Sequence, residues 1–218
     1  MNHAAVRFDT ISSRALDRLL DKLRHEGIRD ERVLEAMQRV PRHHFVEEGL
    51  QLRAYDDIAL PIGFQQTISQ PYVVARMLEL LLAGREPGRT LEVGVGCGYQ
   101  TALLAQLAPE VYGIERIRAL FDLARENLRP FRFAHVRLKH GDGMLGLPEV
   151  APFDSIIVAA AAPVVPPALV EQLSLGGRLV IPVGDAVQSL RVVDRTSSGI
   201  VLSEHEPVRF VPLLGGVG

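Results

Sequence analysis

The chain contains 218 residues, of which 47% are hydrophobic, and it carries a formal net charge of -2. This length suffices for one well-buried α/β domain and a small appendage. A net charge near zero gives no global field that would attract nucleic acid, so we expect no nucleic-acid partner. The single cysteine, Cys97, excludes an intramolecular disulfide and a multi-cysteine zinc cluster, and it fits a reducing compartment.

No segment of the chain has the pattern of a targeting or membrane-spanning sequence. The N-terminal ten residues lack the apolar core of a signal peptide. The longest apolar run, residues 156–170, is interrupted by prolines and is too short to span a bilayer. We therefore expect a cytoplasmic protein without a membrane partner.

Helical patterns dominate the first part of the chain. Leucines at helical spacing predict a helix over residues 14–25. A second helix is predicted over residues 31–40, between an aspartate suited to the N-cap and a proline that stops it. Residues 41–67 form an irregular segment, and a third helix with proline in its first turn is predicted over residues 71–82.

Short apolar runs alternate with helical patterns from residue 90 onward, which predicts βαβ units and a largely parallel sheet. The turn at residues 195–199 is too short for a crossover helix, so part of the sheet should be antiparallel. The predicted strands cover residues 90–93, 111–114, 136–139, 155–159, 178–183, 190–194 and 208–211, and the predicted helices cover residues 99–108, 117–128 and 167–173. The pattern thus predicts a mixed, mostly parallel seven-stranded sheet flanked by helices.

Residues 90–99 form the most informative stretch, because an apolar strand carrying Glu92 runs into three glycines at alternate positions. Glycine takes positive φ without steric cost, so the backbone can turn sharply beside a ligand. The following helix should point its free N–H groups into the same space. A dinucleotide fingerprint has a different glycine spacing, and the Glu92 carboxylate would repel a pyrophosphate. The loop therefore favours a cationic or zwitterionic nucleotide-type ligand, with an ordinary tight turn as the alternative.

Two further acids follow the next predicted strands. Glu115 lies where a ribose-binding carboxylate is expected in such a unit, and Asp142 stands between two glycines, suited to an exocyclic amine. Ligands sit beyond the carboxyl ends of parallel strands, so we expect these acids and Glu92 on one rim. The competing interpretations are a solvated strand-end acid for Glu115 and an Asp–Gly turn for Asp142.

A polar segment, Gln66-Thr67-Ile68-Ser69-Gln70, precedes the third predicted helix. Its neutral hydrogen-bonding side chains suit a ligand, whereas on spacing alone Ser69 would be the N-cap of that helix. Together with the glycine loop, the segment resembles the protein-L-isoaspartate (D-aspartate) O-methyltransferases. The resemblance runs from about residue 16 to residue 213. The matching motifs are Pro41-Arg42, Phe45-Val46, Pro61-Ile62-Gly63, Gln66 to Pro71, Glu92 to Tyr99, Gly141-Asp142-Gly143, Gly176 to Pro182 and Phe210 to Leu213.

This resemblance implies a class I methyltransferase-like Rossmann sandwich that uses S-adenosyl-L-methionine. Its substrate would be the α-carboxylate of L-isoaspartyl residues in damaged proteins and peptides, with D-aspartyl residues as a second candidate. Methylation there initiates repair through a succinimide. The resemblance also implies a division into residues 1–70, a helical extension with the segment covering substrate and cofactor, and residues 71–218, the cofactor-binding domain. The two would form a single compact unit, and we expect a monomer.

The resemblance assigns site residues position by position. Cofactor-binding residues would be Gln66, Thr67, Ile68, Ser69, Glu92, Val93, Gly94, Val95, Gly96, Glu115, Asp142 and Gly143, without a metal ion. Among them, Glu92 and the next two glycines would hold the methionine part, Glu115 the ribose, and Asp142 with Gly143 the adenine. Ser69 matches the catalytic residue. Gln65 departs from the glycine that the family often carries there, so the conformation of that loop is an open question.

The residues present fit this chemistry. A carboxylate with a pKa near 4 is already ionised at pH 7, so its attack on a sulfonium methyl needs no general base. Alignment of the reacting groups can supply up to about 7–11 kcal/mol, and Ser69 would then orient the carboxylate. Two alternative functions remain open for a chain with this glycine loop. One is a methyltransferase of the same fold acting on a small molecule or RNA, and the other is a catalytically silent S-adenosylmethionine-binding adaptor.

Overall fold

The computed structural model describes the backbone of residues 3–218 and the side chains from residue 13 onward. The helices are α1 His3–His25, α2 Glu31–Arg39, α3 Pro71–Leu82, α4 Tyr99–Leu107, α5 Arg118–Leu128 and α6 Pro167–Glu171. The strands are β1 Leu60–Pro61, β2 Thr67–Ile68, β3 Arg89–Val93, β4 Glu110–Glu115, β5 Val136–His140, β6 Phe153–Val158, β7 Leu173–Val183, β8 Gln188–Thr196 and β9 Gly199–Val208. Short 3-10 helices span Arg42–Phe45, Glu48–Arg53, Arg129–Phe131 and Gly143–Leu145.

The main sheet has seven strands in the order β5-β4-β3-β6-β7-β8-β9. Strands β3 to β7 pair in parallel, whereas β8 is antiparallel to both of its neighbours. The chain therefore forms the predicted mixed, mostly parallel sheet. Strand β3 lies between β4 and β6. The chain places β4 and β5 on one side of β3 and β6 and β7 on the other, and such a reversal of strand order opens a crevice at the carboxyl end of the central strand.

Two hydrophobic layers cover the two faces of this sheet. One layer combines Leu23, Leu34 and Phe45 of the N-terminal segment with Leu78 of α3 and Leu103 of α4. The other joins apolar side chains of β4, β6 and β7 with Leu147 and Leu169. The N-terminal helices thus contribute directly to the core on one face of the sheet. The division of the chain at residue 70 stays a prediction.

The last strand was predicted in the wrong place. Strand β9 ends at Val208, where the prediction began. It is an edge strand whose residues are mostly exposed, so it lacks the alternation of buried and exposed side chains that marks a strand in sequence. Residues 209–211 leave the sheet, and Gln188 holds the N–H and C=O of Phe210 at 2.7 and 3.1 Å.

Other differences concern element ends. Helix α1 begins at His3 instead of residue 14, and residues 3–13 contain no glycine or proline to stop it. Helix α6 ends at Glu171 because Leu173 already belongs to β7. The irregular segment predicted for residues 41–67 contains two 3-10 helices and strand β1, which pairs with β2 in a short hairpin.

Candidate active site

A cleft lies at the carboxyl ends of β3 and β4, with the β1–β2 hairpin on its other side. It encloses about 880 Å³, part of which is open to solvent. Eleven of the twelve predicted cofactor residues line it: Gln66, Thr67, Ile68, Ser69, Glu92, Val93, Gly94, Val95, Gly96, Glu115 and Gly143. The cleft thus brings together two segments that are separated in sequence.

The glycine loop has the conformation that its sequence demands. Gly94, Gly96 and Gly98 all have positive φ, between 57° and 90°. Gly94 donates its N–H to the carbonyl of Ile114 at 2.9 Å, which ties the loop to β4. Gly98 is the N-cap of α4 in the left-handed region and provides no capping side chain. The first turn of α4 therefore begins directly beside the cleft, as predicted.

Glu92 is completely buried at the floor of the cleft. Thr101 Oγ1 and Gln100 Nε2, both from the first turn of α4, donate to its carboxyl oxygens at 2.5 and 3.2 Å. Burial raises the pKa of Glu92 to about 8, against the hydrogen bonds that lower it. The neutral form of this carboxyl is therefore favoured near pH 7. A cationic group placed beside it would favour its ionisation.

Glu115 joins the ends of the two central strands. Its Oε2 accepts the N–H of Gly96 and its Oε1 accepts the N–H of Ile117, both at 2.9 Å. Each carboxylate oxygen has a second lone pair, so the side chain can still accept from ligand hydroxyls. Glu115 thus fixes the glycine loop and faces the cleft at the same time.

Asp142 is the one predicted cofactor residue outside the cleft lining. Its Oδ1 caps the 3-10 helix at Gly143 by accepting the N–H of Met144 at 2.9 Å. Its Oδ2 accepts the N–H of Gly216 at 2.6 Å, so residues near the end of the chain occupy one side of this carboxylate. Gly143 does line the cleft, and a Cβ there would come within 2.5 Å of Val93 Cγ1. Only glycine therefore fits at that position.

Ser69 lies between β2 and α3 and is half-buried. It is not the N-cap of α3, since that position belongs to Gln70. No described group forms a hydrogen bond with its hydroxyl. Ser69 lines the cleft just described and also a second, neighbouring groove. Its hydroxyl is therefore available at the boundary between the two.

The second groove runs between α3 and the segment that follows β9. It shares Thr67, Ser69, Ala159 and Val211 with the cleft, so the two form one continuous depression. Its walls also include Gln70, Tyr72, Arg76, Glu206, Arg209 and Phe210. Arg76 and Glu206 form an ion pair at 2.6 Å across it.

Several lining residues were not assigned by the sequence. Gln100, which binds Glu92, has no signature beyond its place in the first turn after the glycine loop. Residues 211–214 line the cleft because Ala161 binds the N–H of Leu213 and the carbonyl of Val211. The motif Phe210 to Leu213 was visible in the sequence, but nothing local showed that it would reach the cleft.

Among the described residues, no group of three or more His, Cys, Asp or Glu side chains is arranged to hold a metal ion. No helix within that part of the chain combines the length and apolarity needed to cross a membrane.

Three features together define a class I methyltransferase. They are a mostly parallel sheet whose strand order reverses at β3, a glycine loop that leads into a helix N-terminus, and acids at the ends of β3 and β4. The family profile of protein-L-isoaspartate(D-aspartate) O-methyltransferase matches residues 14–218, and the chain belongs to this family. The resemblance inferred from the motifs is thereby confirmed. The enzyme uses S-adenosyl-L-methionine to methylate isoaspartyl residues.

Individual relatives agree with this assignment. The protein-L-isoaspartate O-methyltransferase of Aromatoleum aromaticum is 63% identical over 205 residues, covering 94% of both chains. That of Azoarcus sp. is 64% identical, covering 94% of this chain and 95% of the relative. A putative Plasmodium falciparum member, crystallised with S-adenosyl-L-homocysteine, superimposes with a TM-score of 0.80 at 28% identity and covers 90% of this chain and 97% of its own.

Proposed function

We propose that Ser69 holds the α-carboxylate of an isoaspartyl residue in line with the methyl group of S-adenosyl-L-methionine, and that the cleft and the groove bind donor and acceptor respectively. The continuity of the two depressions at Ser69 is the observation that carries this proposal. A methyl acceptor must reach the donor through such a junction.

The cleft residues fit the donor. Its adenosyl part suits a site with positive-φ glycines, because the backbone can approach closely and N–H groups at the start of α4 face the space. Glu115 can accept from ribose hydroxyls, and Glu92 can ionise beside a positively charged methionine part. Gly143 lines the part of the cleft that we assign to the adenine. Asp142 would contact the adenine amine through the lone pairs that Met144 and Gly216 leave unused.

Bound S-adenosyl-L-methionine supplies a methyl group on a positively charged sulfur. The acceptor carboxylate is ionised at pH 7, so the chain needs no base to activate it. Ser69 Oγ donates a hydrogen bond to that carboxylate and fixes the direction of its lone pair. Thr67 and Gln66 line the same side of the cleft as Ser69. Catalysis then rests on alignment, which can supply up to about 7–11 kcal/mol.

The acceptor residue must enter as part of a peptide chain. The groove between α3 and residues 206–211 continues from the junction at Ser69, so we assign it to the peptide residues that flank the methylated one. Ala159 has a small side chain at the junction, which permits a peptide backbone to come near the methyl group. We extend the proposal to D-aspartyl residues as weaker acceptors.

A methyl-transfer assay with paired peptides tests the acceptor. The peptides differ only in an L-aspartyl or an L-isoaspartyl residue at one position, and radiolabelled methyl donor is supplied at saturation. We expect labelling of the isoaspartyl peptide alone. Equal labelling of the two, or labelling of neither by a folded protein that binds S-adenosyl-L-homocysteine, would contradict the proposed acceptor. A third peptide with D-aspartate tests the weaker activity.

We further propose that the chain acts as a cytoplasmic monomer without nucleic-acid or membrane partners. The small net charge supports the absence of a nucleic-acid partner, since phosphate contacts require clustered positive charge. Light scattering on the eluting protein would measure the oligomeric state, and a mass of twice 24.0 kDa would contradict the monomer.

A further inference from the structure

Asp57 lies in the segment before the β1–β2 hairpin and lines neither the cleft nor the groove. Only 3% of its side chain is exposed. Its Oδ1 accepts the N–H of Tyr72 at 2.8 Å. Its Oδ2 accepts from Gln70 Nε2 at 3.0 Å and from Lys22 Nζ of α1 at 2.9 Å. One carboxylate therefore binds the side chain of Gln70, the backbone of Tyr72 at the start of α3, and Lys22 of α1.

This carboxylate takes the place of an N-cap for α3. The cap residue Gln70 makes no side-chain cap, and Pro71 has no N–H, so Tyr72 provides the first free N–H of the helix. Asp57 satisfies that group from the segment before the β1–β2 hairpin, and its negative charge is favourable at a helix N-terminus. The start of α3 is thereby fixed relative to residue 57.

Ser69 is held from both directions as a result. On its N-terminal side, Ile68 of β2 is paired with Leu60 of β1. On its C-terminal side, Gln70 and Tyr72 are bound by Asp57. With its hydroxyl unpaired among the described groups, Ser69 depends on these backbone constraints for its direction.

Building on the function proposed for Ser69, we propose that Asp57 is a positioning residue for methyl transfer, which sets the direction of the Ser69 hydroxyl through Gln70 and the first turn of α3. Asp57 contacts neither the cleft nor the groove, so it acts only through these neighbours.

The role requires a carboxylate. Three N–H groups, from Lys22, Gln70 and Tyr72, donate to Asp57. An asparagine has only one acceptor oxygen, and its NH₂ group would face at least one of these donors. Burial opposes the charged form, yet the hydrogen bonds from Lys22, Tyr72 and Gln70 outweigh it and lower the pKa of Asp57. The acid is therefore ionised throughout the neutral range.

The test compares Asp57→Asn with Lys22→Met. The Lys22 side chain is 47% exposed, and its loss leaves the contacts of Asp57 with Gln70 and Tyr72 in place. We expect Asp57→Asn to lower kcat on an isoaspartyl peptide by about tenfold to a hundredfold, as misalignment does. The dissociation constant of S-adenosyl-L-homocysteine should change less than about twofold. Lys22→Met should change kcat less than about twofold, because the two hydrogen bonds from Asp57 to Gln70 and Tyr72 remain.

A double-mutant cycle with Ser69→Ala separates positioning from general stability. If Asp57 acts through Ser69, adding Asp57→Asn to Ser69→Ala lowers kcat little further. Should Asp57→Asn fail to fold by circular dichroism, Gln70→Met replaces it, since this variant leaves the cap on Tyr72 intact. It should lower kcat about threefold to tenfold and should also be non-additive with Ser69→Ala.

A lowered melting temperature with unchanged kcat of the folded protein would overturn the positioning role, as would full additivity with Ser69→Ala. Wild-type protein that binds S-adenosyl-L-homocysteine but methylates no isoaspartyl peptide would instead contradict the proposed function. The two failures are therefore distinguishable.

Discussion

The donor and acceptor sides of the site are held in different ways. The glycine loop after β3 is fixed by the end of the adjacent strand of the main sheet, since the N–H of Gly94 binds Ile114 and the N–H of Gly96 binds Glu115. The segment Thr67 to Gln70 lies outside the main sheet and is fixed by the two-residue strand β1 and by the side chain of Asp57. The regular strands of the main sheet therefore hold the donor side, whereas a short hairpin and one carboxylate hold the acceptor side.

This difference has a functional consequence. A single substitution in the glycine loop acts on a rigid turn and should change donor affinity first. A substitution around Ser69 acts on a segment whose direction depends on several contacts, so it should change the rate of methyl transfer first. Measuring donor affinity and kcat separately for matched variants tests whether the two sides are in fact separable.

Ser69→Ala should give the largest effect. Loss of one positioned donor costs on the order of 2–3 kcal/mol, so we expect kcat to fall about 30-fold to 150-fold. The dissociation constant of S-adenosyl-L-homocysteine, measured by calorimetry, should change less than about threefold. Ser203→Ala on the exposed strand β9 is the control and should leave both values unchanged. A large loss of donor affinity with normal kcat would reverse the assignment of the two sides.

Glu92 should make donor binding depend on pH. Burial raises its pKa to about 8, with Glu115 adding to the shift, and a cationic ligand would lower that pKa. The ionised form then binds more tightly, so affinity for S-adenosyl-L-methionine should rise with pH and level off near pH 8. Below that pH the change approaches about tenfold per unit at most.

Calorimetry between pH 6 and pH 7.5 in buffers of different ionisation enthalpy measures this coupling as proton release. Glu92→Gln is the matched control, because it keeps the shape of the side chain and cannot ionise. Equal pH dependence in the two proteins would show that Glu92 does not lose a proton when the donor binds.

Glu115→Gln should weaken donor binding by about tenfold, with kcat at saturating donor within about twofold of wild type. Both carboxylate oxygens accept backbone N–H groups, and a glutamine would turn its own donor toward one of them, at a cost of about 1–3 kcal/mol. Part of this cost falls on the loop itself, so unfolding should be measured in parallel. A kcat that falls as far as in Ser69→Ala would show that loop geometry controls alignment as well.

The sequence was most informative where the secondary structure is regular and buried. Alternating apolar and helical patterns placed β3, β4 and β6 to β8 and the mixed topology, because these strands are buried and regularly spaced. The glycine loop and Glu115 were also predictable, since glycine spacing and strand ends carry a direct backbone meaning. Edge strand β9 was misplaced because exposure on both faces removes its periodicity.

Contacts made by single side chains between irregular segments were not predictable from the sequence. Nothing near Asp57 shows that it binds Gln70 and the start of α3, because the contact depends on how α3 packs against the preceding segment. The same holds for Asp142, whose carboxylate accepts the N–H of Gly216 from the far end of the chain. Its role in adenine binding stays a prediction that the cofactor complex can test.

The turn at Gly63–Gln66 in the β1–β2 hairpin differs from the glycine loop in its effect on the free energy of unfolding. Phe64 and Gln65 both have positive φ, at 52° and 58°, and the N–H of Gln66 closes the turn on the carbonyl of Gly63 at 2.8 Å. Glycines avoid the steric cost of positive φ in the loop after β3. Phe64 and Gln65 carry side chains, so positive φ costs about 1–2 kcal/mol at each of them.

Gln65→Gly should relieve that cost and lose about 0.5–1 kcal/mol to the entropy of the unfolded chain. We expect a net gain of about 0.5–1 kcal/mol in the free energy of unfolding, measured by urea denaturation. Gln66→Gly, one residue further where φ is not positive, should lose stability instead. Equal losses in both variants would mean that the turn is not strained, and that the hairpin over the site is as relaxed as the glycine loop opposite it.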